Sequence, residues 1–266
     1  MAKQFNIRRQ TGFTAIAISC FVALYLPIIV LVVFSFNAGT SLGNWQGVSL
    51  HWYQKAWTNE LVIDATVRSV EIAVVAAVLS TIAATMAALA TTRTEGYRGL
   101  TFKYAMINVP LMIPEIVTAV ALLIFFAQIK VWTGYSGLGY LIAAHTAFCI
   151  PFAYLPIRAR LENMDLTLER AAADLYATPW KAFRHVTFPL LWPGILAGLM
   201  LAFVISLDDV VITNFVKSAG QETLPTYMLG QLRRSITPEM NAISTVFLLL
   251  SIGVVTVFFI ITNKKT

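Results

Sequence analysis

Hydrophobic residues along the chain fall into six long stretches separated by polar segments. The stretches cover about residues 13–36, 65–92, 104–128, 137–157, 190–215 and 243–262. An α-helix rises about 1.5 Å per residue, so roughly 20 apolar residues are needed to cross a bilayer core. A backbone in lipid must also satisfy its own hydrogen bonds. The pattern therefore predicts an all-α integral membrane protein whose six transmembrane helices form a single domain, residues 1–266.

Composition supports a membrane protein, because 58% of the residues are hydrophobic, only 12% are charged, and the mean hydropathy is +0.74. These values exceed what a soluble core requires. The first apolar stretch follows basic residues, as a signal peptide would, but it is longer than a usual signal core of about 7–15 residues. We expect it to be retained as the first span. Cys20 and Cys149 lie inside apolar stretches and indicate neither a disulfide framework nor a metal site.

The distribution of basic residues predicts the orientation, because loops rich in Lys and Arg remain cytoplasmic. With the amino terminus inside, all but six of the 19 basic residues fall on the cytoplasmic side. The six others are Lys55, Arg68, Lys130, Lys217, Arg233 and Arg234. Both termini are thus predicted to be cytoplasmic. The net charge of +6 then indicates anionic membrane lipid as the partner of this face, and not nucleic acid.

Two segments on the predicted outer side are more structured than plain linkers. Residues 37–64 contain Trp45, Trp52, Tyr53 and Trp57, and such aromatic side chains favour the membrane interface. A short surface helix and a docking surface for an external partner are both compatible with this composition. Residues 216–242 contain helix-breaking Pro and Gly and predict a structured loop that could also serve for docking.

A polar break between the fourth and fifth spans, Leu168–Pro189, has the pattern of two short helices around a bend. Thr167 can cap the first helix, acidic residues lie toward the amino end, and basic residues lie toward the carboxyl end. Thr178 and Pro179 interrupt the middle. The apolar face of this segment could lie on lipid or bind a partner outside the membrane.

At these residues the sequence resembles the EAA loop of ATP-binding-cassette importer permeases, whose coupling helix binds the ATPase. The matched positions are Ala171, Ala172, Asp174, Leu175, Ala177, Pro179, Trp180, Phe183, Val186 and Pro189. Two positions depart from the pattern. Arg170 stands where the pattern has glutamate, with Glu169 one residue earlier, and Tyr176 stands where it has glycine.

The resemblance extends over nearly the whole chain and is greatest to the spermidine/putrescine permeases of that family. It is carried by FSFN at 34–37, NWQG at 44–47, HTAFCIPF at 145–152, SLDDVVI at 206–212 and PEMNAIST at 238–245. The resemblance implies a type I importer permease in a bacterial inner membrane, with the coupling segment 168–189 in the cytoplasm. It implies a heterodimer with a second permease, two cytoplasmic ATPase subunits and an extracytoplasmic binding protein.

The chain carries no G-x-x-x-x-G-K-[ST] phosphate loop, so nothing in the sequence indicates that it binds ATP. We therefore expect a non-enzymatic transport subunit without its own cofactor. The resemblance implies that ATP and Mg²⁺ bind to the partner ATPase subunits.

Acidic residues inside the apolar stretches are the candidates for the substrate pathway, because a charge at mid-bilayer costs roughly 2.5–3.5 kcal/mol on insertion scales. Glu115 lies about twelve residues into the third span, which predicts a depth of roughly 18 Å, near the midplane. Asp208 and Asp209 lie near the outer end of the fifth span, and Glu71 is a weaker candidate. These acids could guide an organic cation together with aromatic neighbours, for which we consider Phe148 and Tyr154. Each acid could instead be held by a hydrogen bond to a neighbouring helix, or be protonated in place.

Other classes of function remain open from the sequence. An ion-coupled secondary carrier would use the same acids for protons or sodium, but it would not need an ATPase docking segment. A structural subunit without a transport path would need neither the intramembrane acids nor the ATPase docking segment. His145 and His185 stand at no recognisable catalytic or metal-binding spacing, so a membrane-embedded enzyme is the least supported hypothesis.

Overall fold

The structure is a computed structural model that describes residues 11–40, 43–93, 99–234 and 237–263. Within these ranges the chain folds into helices joined by short loops. They are α1 Thr11–Phe34, α2 His51–Thr58, α3 Glu60–Thr92, α4 Leu100–Met112, α5 Glu115–Thr133, α6 Gly139–Glu162, α7 Thr167–Asp174, α8 Pro179–Ala182, α9 Phe188–Asp208, α10 Val211–Val216, α11 Leu224–Leu232 and α12 Pro238–Asn263. A π-helical turn, Phe183–Thr187, joins α8 to α9.

The prediction of six membrane-spanning helices is confirmed. Among the residues that the structure describes, six helical runs are long and apolar enough to cross a membrane: Gly12–Phe34, Glu60–Thr92, Glu115–Thr133, Gly139–Glu162, Pro179–Asp208 and Pro238–Ile260. Six of the residues behind the predicted orientation lie outside the described ranges, namely Lys3, Arg8, Arg9, Arg98, Lys264 and Lys265. The orientation therefore stays a prediction.

The predicted third span, residues 104–128, is divided into two helices. α4 ends at Met112, Ile113 is extended with φ −90° and ψ 137°, and α5 begins at Glu115. Pro114 causes this break, because proline has no amide hydrogen and disfavours a helical conformation at the residue before it. Glu115 is the first residue of α5, so the argument that placed it about twelve residues into a continuous helix is wrong.

The predicted fifth span, residues 190–215, is also interrupted. α9 ends at Asp208, and Asp209 is extended with φ −64° and ψ 131° before α10 begins at Val211. The change of direction at Asp209 gives the two adjacent acids different surroundings, which a continuous helix would also separate by about 100°.

One compact unit comprises Met1–Glu60 and Gly230–Leu250. The predicted short helix after the first span is α2. The indole Nε1 of Trp52 donates to the carbonyl of Asn37 at 2.9 Å, and Lys55 Nζ lies 2.9 Å from Glu239 Oε2. Asn59 Nδ2 also donates to Glu239 Oε1 at 3.2 Å. These contacts fix α2 against the preceding loop and the start of α12.

The second compact unit comprises Leu61–Leu229 and Ser251–Thr266. Its helices α6 and α9 pack closely because α9 presents Gly194 and Gly198 on one face. A Cβ atom placed on Gly198 would lie 2.7 Å from the carbonyl oxygen of Ala153, and one on Gly194 would lie 2.7 Å from Arg160 Cβ. Small residues four apart allow two backbones to approach within a membrane. This packing holds the helices that carry the polar groups described below.

The coupling segment forms two short helices around a bend, in keeping with its sequence pattern. The expectation that Thr167 caps the first helix is wrong, because Thr167 is itself the first residue of α7. Instead, Asp165 Oδ1 accepts a hydrogen bond from the backbone amide of Thr167 at 2.9 Å, and this bond lowers the pKa of Asp165. The second helix begins at Pro179, where the Thr178 hydroxyl accepts from the amide of Lys181 at 3.4 Å.

A Schellman motif ends α7 at the position where the family pattern has glycine. The amide of Ala177 donates to the carbonyl of Ala172 at 3.0 Å, and the amide of Tyr176 donates to the carbonyl of Ala173 at 2.9 Å. Tyr176 has φ 60°, the left-handed conformation that this motif requires. Its side chain is 97% exposed, so no packing offsets the steric cost of that conformation.

Replacing Tyr176 with glycine should therefore stabilise the end of α7 by about 0.5–1 kcal/mol, since glycine adopts positive φ without steric cost. Hydrogen exchange of the Ala177 amide should become slower. Leu175→Gly is the matched control, because Leu175 has φ −84° and should gain nothing from glycine. Faster exchange in Tyr176→Gly than in the wild type would contradict this explanation.

Candidate transport cavity and coupling segment

A cavity of about 410 Å³ lies among the start of α5, the middle of α6, the end of α9 and the start of α10. It is lined by Glu115, Phe148, Phe152, Val204, Ile205, Asp208, Asp209, Val210 and Val211. The breaks at Pro114 and Asp209 bring the acids to this place, because each break exposes a helix end beside the cavity. Three carboxyl groups and two aromatic rings thus share one space.

Asp209 has a structural role at the break in the fifth span. Its Oδ1 accepts from the amide of Ile212 at 3.2 Å, and its Oδ2 accepts from the amide and hydroxyl of Thr213 at 2.9 and 2.8 Å. The residue is only 7% exposed. These bonds satisfy amides at the start of α10, as a capping side chain does.

His145 completes a buried polar network around Asp209. Its Nδ1 lies 2.8 Å from Ser206 Oγ, and its Nε2 lies 3.0 Å from Thr213 Oγ1 and 3.4 Å from Asp209 Oδ2. The network joins α6, α9 and α10 in the interior. Its partners are 61 to 68 residues away from His145 in the sequence. Sequence spacing gave no sign of this arrangement.

Glu115 and Asp208 are the carboxyl groups most open to the cavity. Asp208 is exposed and Glu115 is half-buried. Both line the same cavity as Asp209. Neighbouring carboxylates repel unless a proton or a cation lies among them. The cavity is therefore electrostatically suited to hold a positive charge.

The aromatic residues of the cavity are Phe148 and Phe152, whose ring centroids lie 5.3 Å apart. The structure does not bring Tyr154 to this place. Tyr154 is fully buried, and its hydroxyl lies 2.9 Å from Thr91 Oγ1 on α3. Residues four apart share a helix face, whereas Tyr154, two residues after Phe152, points about 160° away from it. Phe152 therefore replaces Tyr154 among the candidate pathway residues.

Glu169 binds α7, the first helix of the coupling segment, to the end of α3 and to the turn before α9. Glu169 Oε1 accepts from Arg93 Nε at 3.1 Å and from the Thr187 hydroxyl at 3.0 Å. Of the other predicted coupling residues, Ala172, Ala177 and Phe183 are half-buried. The remainder are exposed, namely Arg170, Ala171, Asp174, Leu175, Tyr176, Pro179 and Pro189. Arg93 and Thr187 are absent from the sequence-based set.

Known proteins similar to this chain are permease subunits of ABC transporters. Residues 101–263 match the family described as binding-protein-dependent transport system inner membrane component. The spermidine/putrescine transport system permease protein PotC of Haemophilus influenzae is 37% identical over 242 residues, which cover 91% of this chain and 93% of that protein. The putrescine transport system permease protein PotI of Escherichia coli strain K12 is 36% identical over 231 residues, covering 86% of this chain and 82% of that protein.

Solved structures share the fold at low sequence identity. A bacterial ABC transporter involved in the import of the acidic polysaccharide alginate aligns with a TM-score of 0.73 and 14% identity, over 97% of each chain. The MetNI methionine ABC transporter in inward-facing conformations aligns with a TM-score of 0.68 and 17% identity, over 80% of this chain and 98% of that one. The family match and the relatives at 36–37% identity favour an importer permease over an ion-coupled carrier. The chain belongs to the binding-protein-dependent transport system inner membrane component family, as a multi-pass permease subunit of the type I ABC importer fold.

Proposed function

We propose that this chain forms half of the translocation path of an ATP-driven importer for a small organic cation of the polyamine class. The observation that carries the proposal is the cavity in which Glu115, Asp208 and Asp209 lie beside two phenylalanine rings. The relatives named for spermidine and putrescine transport point to the same class of substrate.

Binding of a cation in this cavity rests on two physical effects. Coulomb attraction is stronger in a partly desolvated site than in bulk water, so an ammonium group is attracted to the open carboxylates of Glu115 and Asp208. The faces of Phe148 and Phe152 can add cation–π attraction and contact for the methylene chain. Asp209 already accepts hydrogen bonds from amides of α10, so it contributes to cation binding mainly through its negative charge.

The energy for transport comes from partner subunits in this proposal. ATP and Mg²⁺ bind to two cytoplasmic ATPase subunits, and a second permease completes the path as a heterodimer. An extracytoplasmic binding protein delivers the cation. The coupling segment and both termini lie in the cytoplasm. A partner can shift the permease between inward-facing and outward-facing states only if it binds these states with different affinity.

Purification of the chain with its native partners tests this composition. We expect one second permease and two ATPase subunits to co-purify, and we expect the associated binding protein to bind spermidine or putrescine. A binding protein that bound only anions or sugars would contradict the proposed substrate class. Purification of the chain without an ATPase would contradict the proposed energy source.

A further inference from the structure

We propose that Arg93, Glu169 and Thr187 form a joint that transmits movement of α7, the first helix of the coupling segment, to the transport cavity. We call these three residues the coupling joint. The inference rests on the proposed function, because the movement would come from a partner ATPase. It assigns a positioning role to each of the three side chains.

The geometry of the coupling joint brings three membrane helices together. Arg93 follows α3, and its Nη1 donates to the carbonyl of Leu161 near the end of α6 at 3.1 Å. Its Nε lies 3.1 Å from Glu169 Oε1 on α7. Thr187, directly before α9, donates to the same carboxylate oxygen at 3.0 Å. A displacement of α7 must therefore either break these bonds or move the ends of α3, α6 and α9 with it.

Partial burial distinguishes this ion pair from an ordinary surface pair. The side chains of Arg93 and Glu169 are 18% and 23% exposed, and Thr187 is buried. By contrast, the pair between Arg158 and Glu162 is 30% and 48% exposed at a distance of 2.8 Å. Exposed pairs contribute little, whereas removal of one partner from a desolvated pair leaves a charge uncompensated.

Glu169 is the acidic residue next to the position where the family pattern has glutamate. It lies one residue before that position, and its carboxylate accepts hydrogen bonds from Arg93 and Thr187. Arg170 takes the expected place and is exposed, and Lys181 and Arg184 are exposed as well. Glu169 thus holds α7 to the helices, and the exposed charged side chains of the segment include Asp174 beside these basic residues.

Helix α9 connects the coupling joint to the cavity. Thr187 belongs to the π-helical turn before α9, and such turns are frequent at functional positions. α9 extends from Phe188 to Asp208 over 21 residues, about 30 Å at 1.5 Å per residue. Its far end holds Asp208 beside the cavity. A shift or rotation imposed at Thr187 would therefore move Asp208 at the cavity.

The test is the number of ATP molecules hydrolysed per cation transported by the complete reconstituted importer. Glu169→Gln removes the charge and keeps the size of the side chain. We expect this ratio to increase by about 2- to 30-fold, the range for coupling energies of 0.5–2 kcal/mol. Glu162→Gln is the matched control, since it makes the same change in the exposed pair and should leave the ratio unchanged.

Thr187→Val keeps the shape of the side chain and removes only one hydrogen bond, so it provides a second variant if Glu169→Gln does not assemble. It should increase the ratio by a smaller factor. If the wild type shows ATP-dependent uptake, the coupling joint would be overturned by a wild-type ratio in Glu169→Gln, or in Thr187→Val where Glu169→Gln does not assemble. A wild-type complex without ATP-dependent uptake would instead overturn the proposed function.

Discussion

Replacing Glu115 by glutamine or Asp208 by asparagine should lower polyamine uptake about 10- to 100-fold, while the assembled complex forms in normal amounts. A hydrogen bond to a charged group contributes about 1.5–3 kcal/mol, which corresponds to a change of this size in affinity. Both side chains face the cavity, and neither substitution changes the volume of the residue much. The measurement is the initial rate of uptake of labelled spermidine and putrescine at several concentrations.

The control for this prediction is Glu71→Gln, which removes an exposed acid of α3 that is not among the cavity residues. Its uptake should equal that of the wild type. Normal uptake in both Glu115→Gln and Asp208→Asn would show that the cavity acids do not guide the substrate. An equal loss in all three variants would indicate a general effect of charge and not a site.

Replacing Gly198 by valine should destabilise the packing of α6 against α9 by about 1–3 kcal/mol, the usual cost of overpacking. The added Cβ would approach the Ala153 carbonyl oxygen to 2.7 Å and Ile157 Cδ1 to 3.0 Å. The side chain of Ile157 can adjust, but a backbone carbonyl in a helix cannot move without displacing the helix. We therefore expect a lower Tm and less folded subunit in detergent.

Gly253→Val is the matched control for this substitution. A Cβ on Gly253, in the middle of α12, would meet nothing within 4 Å. The Tm of this variant should remain close to that of the wild type. Equal melting temperatures for Gly198→Val and Gly253→Val would contradict close packing between α6 and α9.

The membrane-spanning helices could be predicted from the sequence because run length and hydropathy are local properties. The break at Pro114 had a local signal as well, since proline disfavours helix at the residue before it. The break at Asp209 had a weaker one. Its carboxylate accepts from amides three and four residues later, which is a capping pattern, but His145 on another helix completes the network.

The candidate site was predicted less well, for two different reasons. Tyr154 was grouped with Phe148 by closeness in sequence, although the helical period places the two side chains on different faces. Phe152, four residues after Phe148, had the correct spacing. The coupling joint could not be predicted in this way, because Arg93 and Glu169 are 76 residues apart and meet only in the folded unit.

Uptake of labelled spermidine and putrescine into sealed vesicles tests the central claim most directly, when vanadate and a protonophore are added separately. An ATP-driven importer should require ATP and should stop with vanadate. It should continue when the protonophore removes the proton gradient. Uptake that needs no ATP, is unaffected by vanadate and stops with the protonophore would contradict an ATP-driven importer and identify an ion-coupled carrier.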